Sequence, residues 1–184
     1  DDISLPNRLE ILYDFLIQNP AFSIVSSKMI LNLNEPCKLY DTSWIKPMKY
    51  VGIWWEMHLG LTTWKHEGGR HGATTEKAKA YIDFAAAHSM GGVLVEGWNT
   101  GWENWGEKNA FDFRTPYADF DLDELAEYAN VRNVQLIGHH ETGGDILSYE
   151  SHIDSAFAWY KRLGIHYVKT GYAGPVNPPT EHHH

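Results

Sequence analysis

The chain has 184 residues and a mass of 21.0 kDa, enough for one sizeable core or for one domain plus part of a second. A hydrophobic fraction of 43% and an aromatic fraction of 14% exclude a disordered chain, and a formal net charge of -9 without a Lys/Arg cluster excludes a phosphate-backbone partner, so nucleic acid is not an expected ligand. The single Cys37 cannot form an internal disulfide, no apolar run reaches the ~18 residues of a membrane span, and the start DDISLPNRLE lacks the pattern of a signal peptide.

In chain order, NRLEILYDFLIQNP places Leu9, Leu12, Phe15 and Leu16 at helical spacing, with Pro20 as a stop. FSIVSSKMILNLNEP alternates enough for one or two strands, and CKLYDTSWIKPMK reads as a connector. Residues 1–49 are thus expected to be the end of a preceding domain and its linker. From Tyr50 a repeating pattern begins. The apolar runs YVGIWWEMH (50–58), GGVLVEGWN (91–99), NVQLIGHHE (133–141) and GIHYVKTGY (164–172) read as strands.

Between the runs lie amphipathic helices. In TTEKAKAYIDFAAAHSM, Thr74 or Thr75 can cap a face of Ala78, Ile82, Ala85 and Ala86. In DLDELAEYANVRN the acidic residues crowd the first turn, and Leu122, Leu125, Ala126 and Ala129 share a face. SYESHIDSAFAWYKRLG offers Ser148 and Ser151 as caps, Lys161 and Arg162 in the last turn, and Gly164 as a left-handed stop. Apolar strands alternating with such helices predict an α/β fold with a parallel sheet. Only four units fit, whereas a closed (β/α)8 barrel takes about 250 residues, so the pattern leaves an open sheet and a part of a barrel both open.

The loops after the strands, HLGLTTWKHEGGRHGATT and NTGWENWGEKNAFDFRTPYADF, are long and chemically loaded, while the returns HSMGG and KRLG are short. Function then belongs at the strand carboxyl ends. There the pattern places Glu56, Glu96, Glu141 and Lys169, near His58, Trp98, His139 and His140. Carboxylates, imidazoles and indoles lining one cleft suit sugars, and glycoside hydrolysis needs a pair of carboxylates, with Glu141 a candidate member.

Other readings compete. Glu56 or Glu96 taken alone suits a structural bond to loop amides or to a neighbouring Lys or His, and His139 and His140 must face opposite ways on a strand. HEGGRH with HHE could serve a metal-dependent hydrolase, but it lacks the helix that would set ligands on one face. ETGG lacks the spacing and the Lys of a phosphate loop. Trp98, Trp102 and Trp105, on a Gly/Asn-rich loop, are the candidate sugar platforms. TEHHH reads as a tag stub or as native chain.

At LNLNEP, SWIKPMKYVGIWWEMH, VLVEGWN, GHHETGG and VKTGYAG the chain resembles glycoside hydrolase family 97, the α-glucosidases and α-galactosidases of Bacteroidetes sugar-utilisation systems, over roughly residues 30–184. The resemblance implies a β-sandwich, a (β/α)8 catalytic barrel and a small C-terminal β-domain in a periplasmic parent, with calcium assisting catalysis, and it makes residues 1–49 the end of the N-terminal domain with its linker and residues 50–184 the first half of the barrel. None of the metal's ligands is placed in this chain. It also implies an inverting branch with a base glutamate at the end of the third barrel strand, and a retaining branch with a nucleophilic aspartate at the end of the fourth. Here those positions are Glu141 and Gly171, which points to the inverting, α-glucosidase-like branch. His139 and Lys169 match sugar-binding positions of that branch, while Glu96, Trp98 and Glu56 are substrate-contact candidates from their placement. The general acid lies on later strands, so the chain alone is expected to be inactive. A carbohydrate-binding or assembly fragment is the rival reading, and self-association through open strand edges is expected.

Overall fold

The computed structural model describes residues 43 and 45–174. The helix and strands expected before residue 43, with LNLNEP and TEHHH, lie outside the described residues. The chain divides into Asp1–Lys46 and Pro47–His184, and everything below belongs to the second unit.

Four strands, β1 (Tyr50–Ile53), β2 (Gly92–Val95), β3 (Gln135–His140) and β4 (Tyr167–Thr170), form one parallel sheet in the order β1-β2-β3-β4. The register pairs Ile53 with Val95, Val93 with Leu136 and His139 with Lys169. Sequential order with parallel pairing requires a crossover after every strand, and helices supply it. These are α1 (Trp55–His58), α2 (Thr75–Ala87), α3 (Leu122–Asn130) and α4 (Ile146–Arg162). The architecture is α/β, a partial (β/α)8 barrel of four strands.

Each long helix starts at a side-chain cap. The Thr74 hydroxyl accepts from Lys77 N, Asp121 accepts from Glu124 N, and Asp145 accepts from Ser148 N. The third cap corrects the expectation of Ser148 or Ser151: a carboxylate three residues earlier satisfies the amide that a serine at 148 would have left exposed. Gly164, at φ 72°, is the expected left-handed stop.

Ala78, Ile82 and Ala85 of α2, together with Leu122, Leu125 and Ala129 of α3, pack on Ile53, Val93, Val95 and Leu136 of the sheet as the main core. Ala86, expected on the same face, is exposed. A second cluster of Phe111, Phe113, Tyr149 and Ala156 seats α4.

The strands are shorter than the apolar runs that announced them. β1 ends at Ile53, and WEMH turns into α1, so Glu56 sits on a helical turn rather than at a strand end. Strand alternation also separates the two histidines. His140 faces the helix layer, stacked on Tyr160 at 4.8 Å, while His139 faces the opposite side toward Glu96.

Candidate active site

Past the carboxyl ends of β2, β3 and β4 lies a cavity of about 730 Å3. Its walls include Glu96, His139, Glu141, Lys169, Trp64, Trp102, Trp105 and Tyr172. A volume in the range of roughly 300–1,000 Å3 is that of small-molecule sites.

Glu141 follows β3 directly and is 6% exposed. Its Oε1 accepts backbone N–H groups of Thr142 (3.0 Å), Gly143 (2.8 Å) and Tyr172 (3.0 Å). Gly143, at φ 58°, supplies the turn that curls those amides back onto the carboxylate. Burial pushes the Glu141 pKa up, and the three N–H donors only partly oppose it.

Glu96 ends β2, is 8% exposed and accepts from Lys169 Nζ (2.8 Å) and Trp64 Nε1 (3.2 Å). Burial alone would raise its pKa, but its cationic and N–H neighbours bring it below the ordinary value. Burial holds His139 near pKa 4, so at neutral pH the imidazole 3.7 Å from Glu96 is uncharged. Lys169 and Trp64 are then what keep Glu96 ionised.

Aromatic rings make the rest of the wall. Trp64 and Trp102 stack at 5.7 Å and 9°, and Trp102 also lies over His139 at 6.1 Å and 20°.

Two expected substrate contacts are corrected. Trp98 is 2% exposed and belongs to the core: its Nε1 donates to His139 O at 2.8 Å, and its ring packs on Phe120, Trp159 and Tyr160. A loop indole is buried here because the sheet's edge carbonyl satisfies its only polar atom. Glu56 lies outside the cavity, bonded by both oxygens to Lys77 Nζ at 2.8 and 2.9 Å, and so ties α1 to α2. Trp64 and Tyr172, by contrast, line the cavity and were not singled out from the sequence. The signal for Trp64 was its place in the long loop after the first run; for Tyr172 it was two residues beyond a strand end.

The HEGGRH histidines both turn toward Asp119, their rings 5.8 Å apart. His71 is buried between the Asp119 carboxylate (Nδ1 at 2.9 Å) and Gly97 O (Nε2 at 2.8 Å), while His66 lies 3.7 Å from Asp119 on the solvent side. Among the described residues no three His, Cys, Asp or Glu side chains are placed to hold a metal ion. Calcium takes about six to eight oxygens. Among the described residues the cavity offers only the carboxylates of Glu96 and Glu141, too few for such a shell.

Sugars are what this wall can hold, since their apolar faces lie on indoles while their hydroxyls bridge carboxylate, imidazole and ammonium groups. Fold and cleft together define part of a (β/α)8 barrel with a cavity at its strand carboxyl ends. Comparison with known proteins gives the family: the sequence model described as Glycoside hydrolase 97 matches residues 54–182, and the chain belongs to glycoside hydrolase family 97.

A glycoside hydrolase family 97 enzyme in complex with acarbose, from Pseudoalteromonas sp. strain K8, is 52% identical with a TM-score of 0.73, over 80% of this chain and 22% of that one. A variant of a family 97 enzyme from the same strain, in complex with panose, gives the same values. The retaining alpha-galactosidase of Bacteroides thetaiotaomicron is 29% identical over 138 residues, 72% of this chain. The chain spans only 18% of that relative's length.

Proposed function

We propose that in the full-length protein this chain supplies the base side of an inverting hydrolysis of α-glucosidic bonds, with Glu141 as general base and His139, Lys169 and Glu96 as sugar contacts. One observation carries the choice of inversion. A Cβ built on Gly171 would stand 2.3 Å from Glu141 Oε2 and 2.9 Å from its Cα. A nucleophilic carboxylate at 171 and Glu141 in this position therefore exclude one another. Gly171 leaves the end of β4 without a nucleophile, as inversion requires.

The chemistry follows from the two oxygens. Oε1 is held by three amides, so the carboxylate is fixed, and Oε2 is left to take the proton of an attacking water. The raised pKa makes that oxygen a better acceptor than an ordinary carboxylate. Glu96 cannot serve as the acid, because Lys169 and Trp64 hold it ionised; the proton for the leaving group comes from outside this chain. Support for glucose-type substrates is the 52% identity to an enzyme captured with acarbose. The 29% relative named as retaining differs on this point.

The test is Glu141→Gln in the full-length protein. Turnover of α-glucosides should fall at least about 100-fold, with a smaller change in binding. Proton NMR of the first-formed sugar from the unaltered enzyme should show the inverted anomer. Near-normal turnover of the variant would remove Glu141 as base, and a retained anomer would remove inversion.

A further inference from the structure

Pairing of β3 with β4 runs to His140 opposite Thr170 and closes on the bond from Gly171 N to His140 O at 2.7 Å. The next peptide along, at Tyr172, is held by side chains instead. Tyr172 N donates to Glu141 Oε1 at 3.0 Å, where a ladder would offer a backbone carbonyl. Tyr172 O accepts from the Thr142 hydroxyl and from Gly144 N at 3.1 Å, and the hydroxyl in turn accepts from Gly144 N at 3.1 Å. Glu141 and Thr142 thus carry the ladder one residue further with their side chains.

The three amides on Glu141 Oε1 are not equally secured. Those of Thr142 and Gly143 belong to the turn that follows Glu141, and that turn itself brings them there. The amide of Tyr172 lies 31 residues away in sequence, so its peptide plane needs an anchor of its own. Thr142 is 2% exposed and does not line the cavity, so any effect on substrate must pass through a neighbour. Its hydroxyl grips the oxygen of Tyr172 while Glu141 takes the nitrogen, which fixes that residue's backbone from both sides.

We propose that Thr142 is a positioning residue for the general base: by holding Tyr172 O, its hydroxyl sets Tyr172 N on Glu141 Oε1 and so aims Oε2 at the attacking water. This rests on the reading of Glu141 as base. A base displaced by a fraction of an ångström loses rate rather than binding. N–H donors to the charged carboxylate oppose the rise that burial gives its pKa, so loss of the Tyr172 donor raises it further. Glu96 at the end of β2 also raises it, and His139 of β3, Lys169 of β4 and the Tyr172 hydroxyl share the cavity. From α1 and its loop come His58, Lys65 and Arg70. Substitution at 142 alters none of these groups.

The test uses Thr142→Val and Thr142→Ser in the full-length protein. The valine keeps the shape without the hydroxyl, and Gly144 N still bonds Tyr172 O. With an aryl α-glucoside, Thr142→Val should lower kcat about tenfold with little change in KM. It should also move the acid limb of kcat/KM upward by about one pH unit, while Thr142→Ser restores both. In a Glu141→Gln background, Thr142→Val should change turnover no further. An unmoved acid limb, a serine variant as slow as the valine, or an equal loss in both backgrounds would overturn the proposal. If Thr142→Val does not fold, Thr142→Ala is held to the same criteria, and failure of both to fold overturns it, because the hydroxyl then serves the fold. Failure of the Glu141 reading shows separately, as near-normal turnover of Glu141→Gln alone.

Discussion

His139 and His140 adjoin in sequence and are both almost wholly buried, at 1% and 0% exposure, yet they serve different layers. His140 is bonded through Nδ1 to the Tyr149 hydroxyl at 3.0 Å and is enclosed by Phe113, Phe157 and Tyr160. Burial lowers its pKa to about 3 and that of His139 to about 4. Both folded values lie below the unfolded value, so the unfolded chain binds more protons as pH drops. Stability should therefore be intact above about pH 6.5 and decline from there downward, by up to about 1.4 kcal/mol per pH unit for each histidine. Glu141, with its raised pKa, works in the opposite sense near its own ordinary range, and Glu96, with its lowered pKa, adds to the loss only below that range. Urea midpoints at pH 7.5 and 5.5 check this, with His140→Phe expected to reduce the difference by about half. An unchanged difference in that variant would mean that His140 is not buried neutral.

At the scale of elements, the glycines mark where β3 and β4 must be approached closely. A Cβ on Gly138 would lie 2.3 Å from Tyr160 of α4, so the bare strand position is what admits the ring that stacks on His140. Gly138→Ala should cost about 1–3 kcal/mol through overpacking, read as a lower urea midpoint with an unchanged slope. The element order itself was legible, since period-2 and period-3.6 patterns alternate and Thr74, Lys161, Arg162 and Gly164 punctuate them. What was not legible is where apolar runs stop being strands. WEMH continues the apolar run of β1 but leaves the sheet, because pairing with β2 ends at Ile53 opposite Val95. The same limit explains the site residues. Glu96, His139, Glu141 and Lys169 could be placed at one sheet edge from strand alternation alone. Trp98 and Glu56 could not, because their burial and pairing depend on His139 O and Lys77, 41 and 21 residues away.

For the whole molecule, the sheet ends on β1 and β4, and among the described residues neither outer edge is paired. Parallel sheets are normally covered on both faces and closed or protected at the edges, since an open row of N–H and C=O groups templates another strand. YVGI and YVKT are β-prone and carry one charge between them, and that charge, Lys169, is drawn inward to Glu96. The net charge of -9 opposes association, but it acts over a distance of only about 10 Å at 0.1 M salt. We therefore expect these 184 residues, produced alone, to pair with copies of themselves, and to do so more strongly as salt screens the repulsion. Light scattering over a range of concentration and salt checks this, with Val51→Lys and Val168→Lys expected to restore the monomer. The same samples should not hydrolyse aryl α-glucosides, because the proposed mechanism spends Glu141 as the base and Lys169 holds Glu96 ionised, leaving neither for the leaving group. A monomer at all salt concentrations would rule out edge pairing. Turnover abolished by Glu141→Gln would mean that the chain carries an acid of its own.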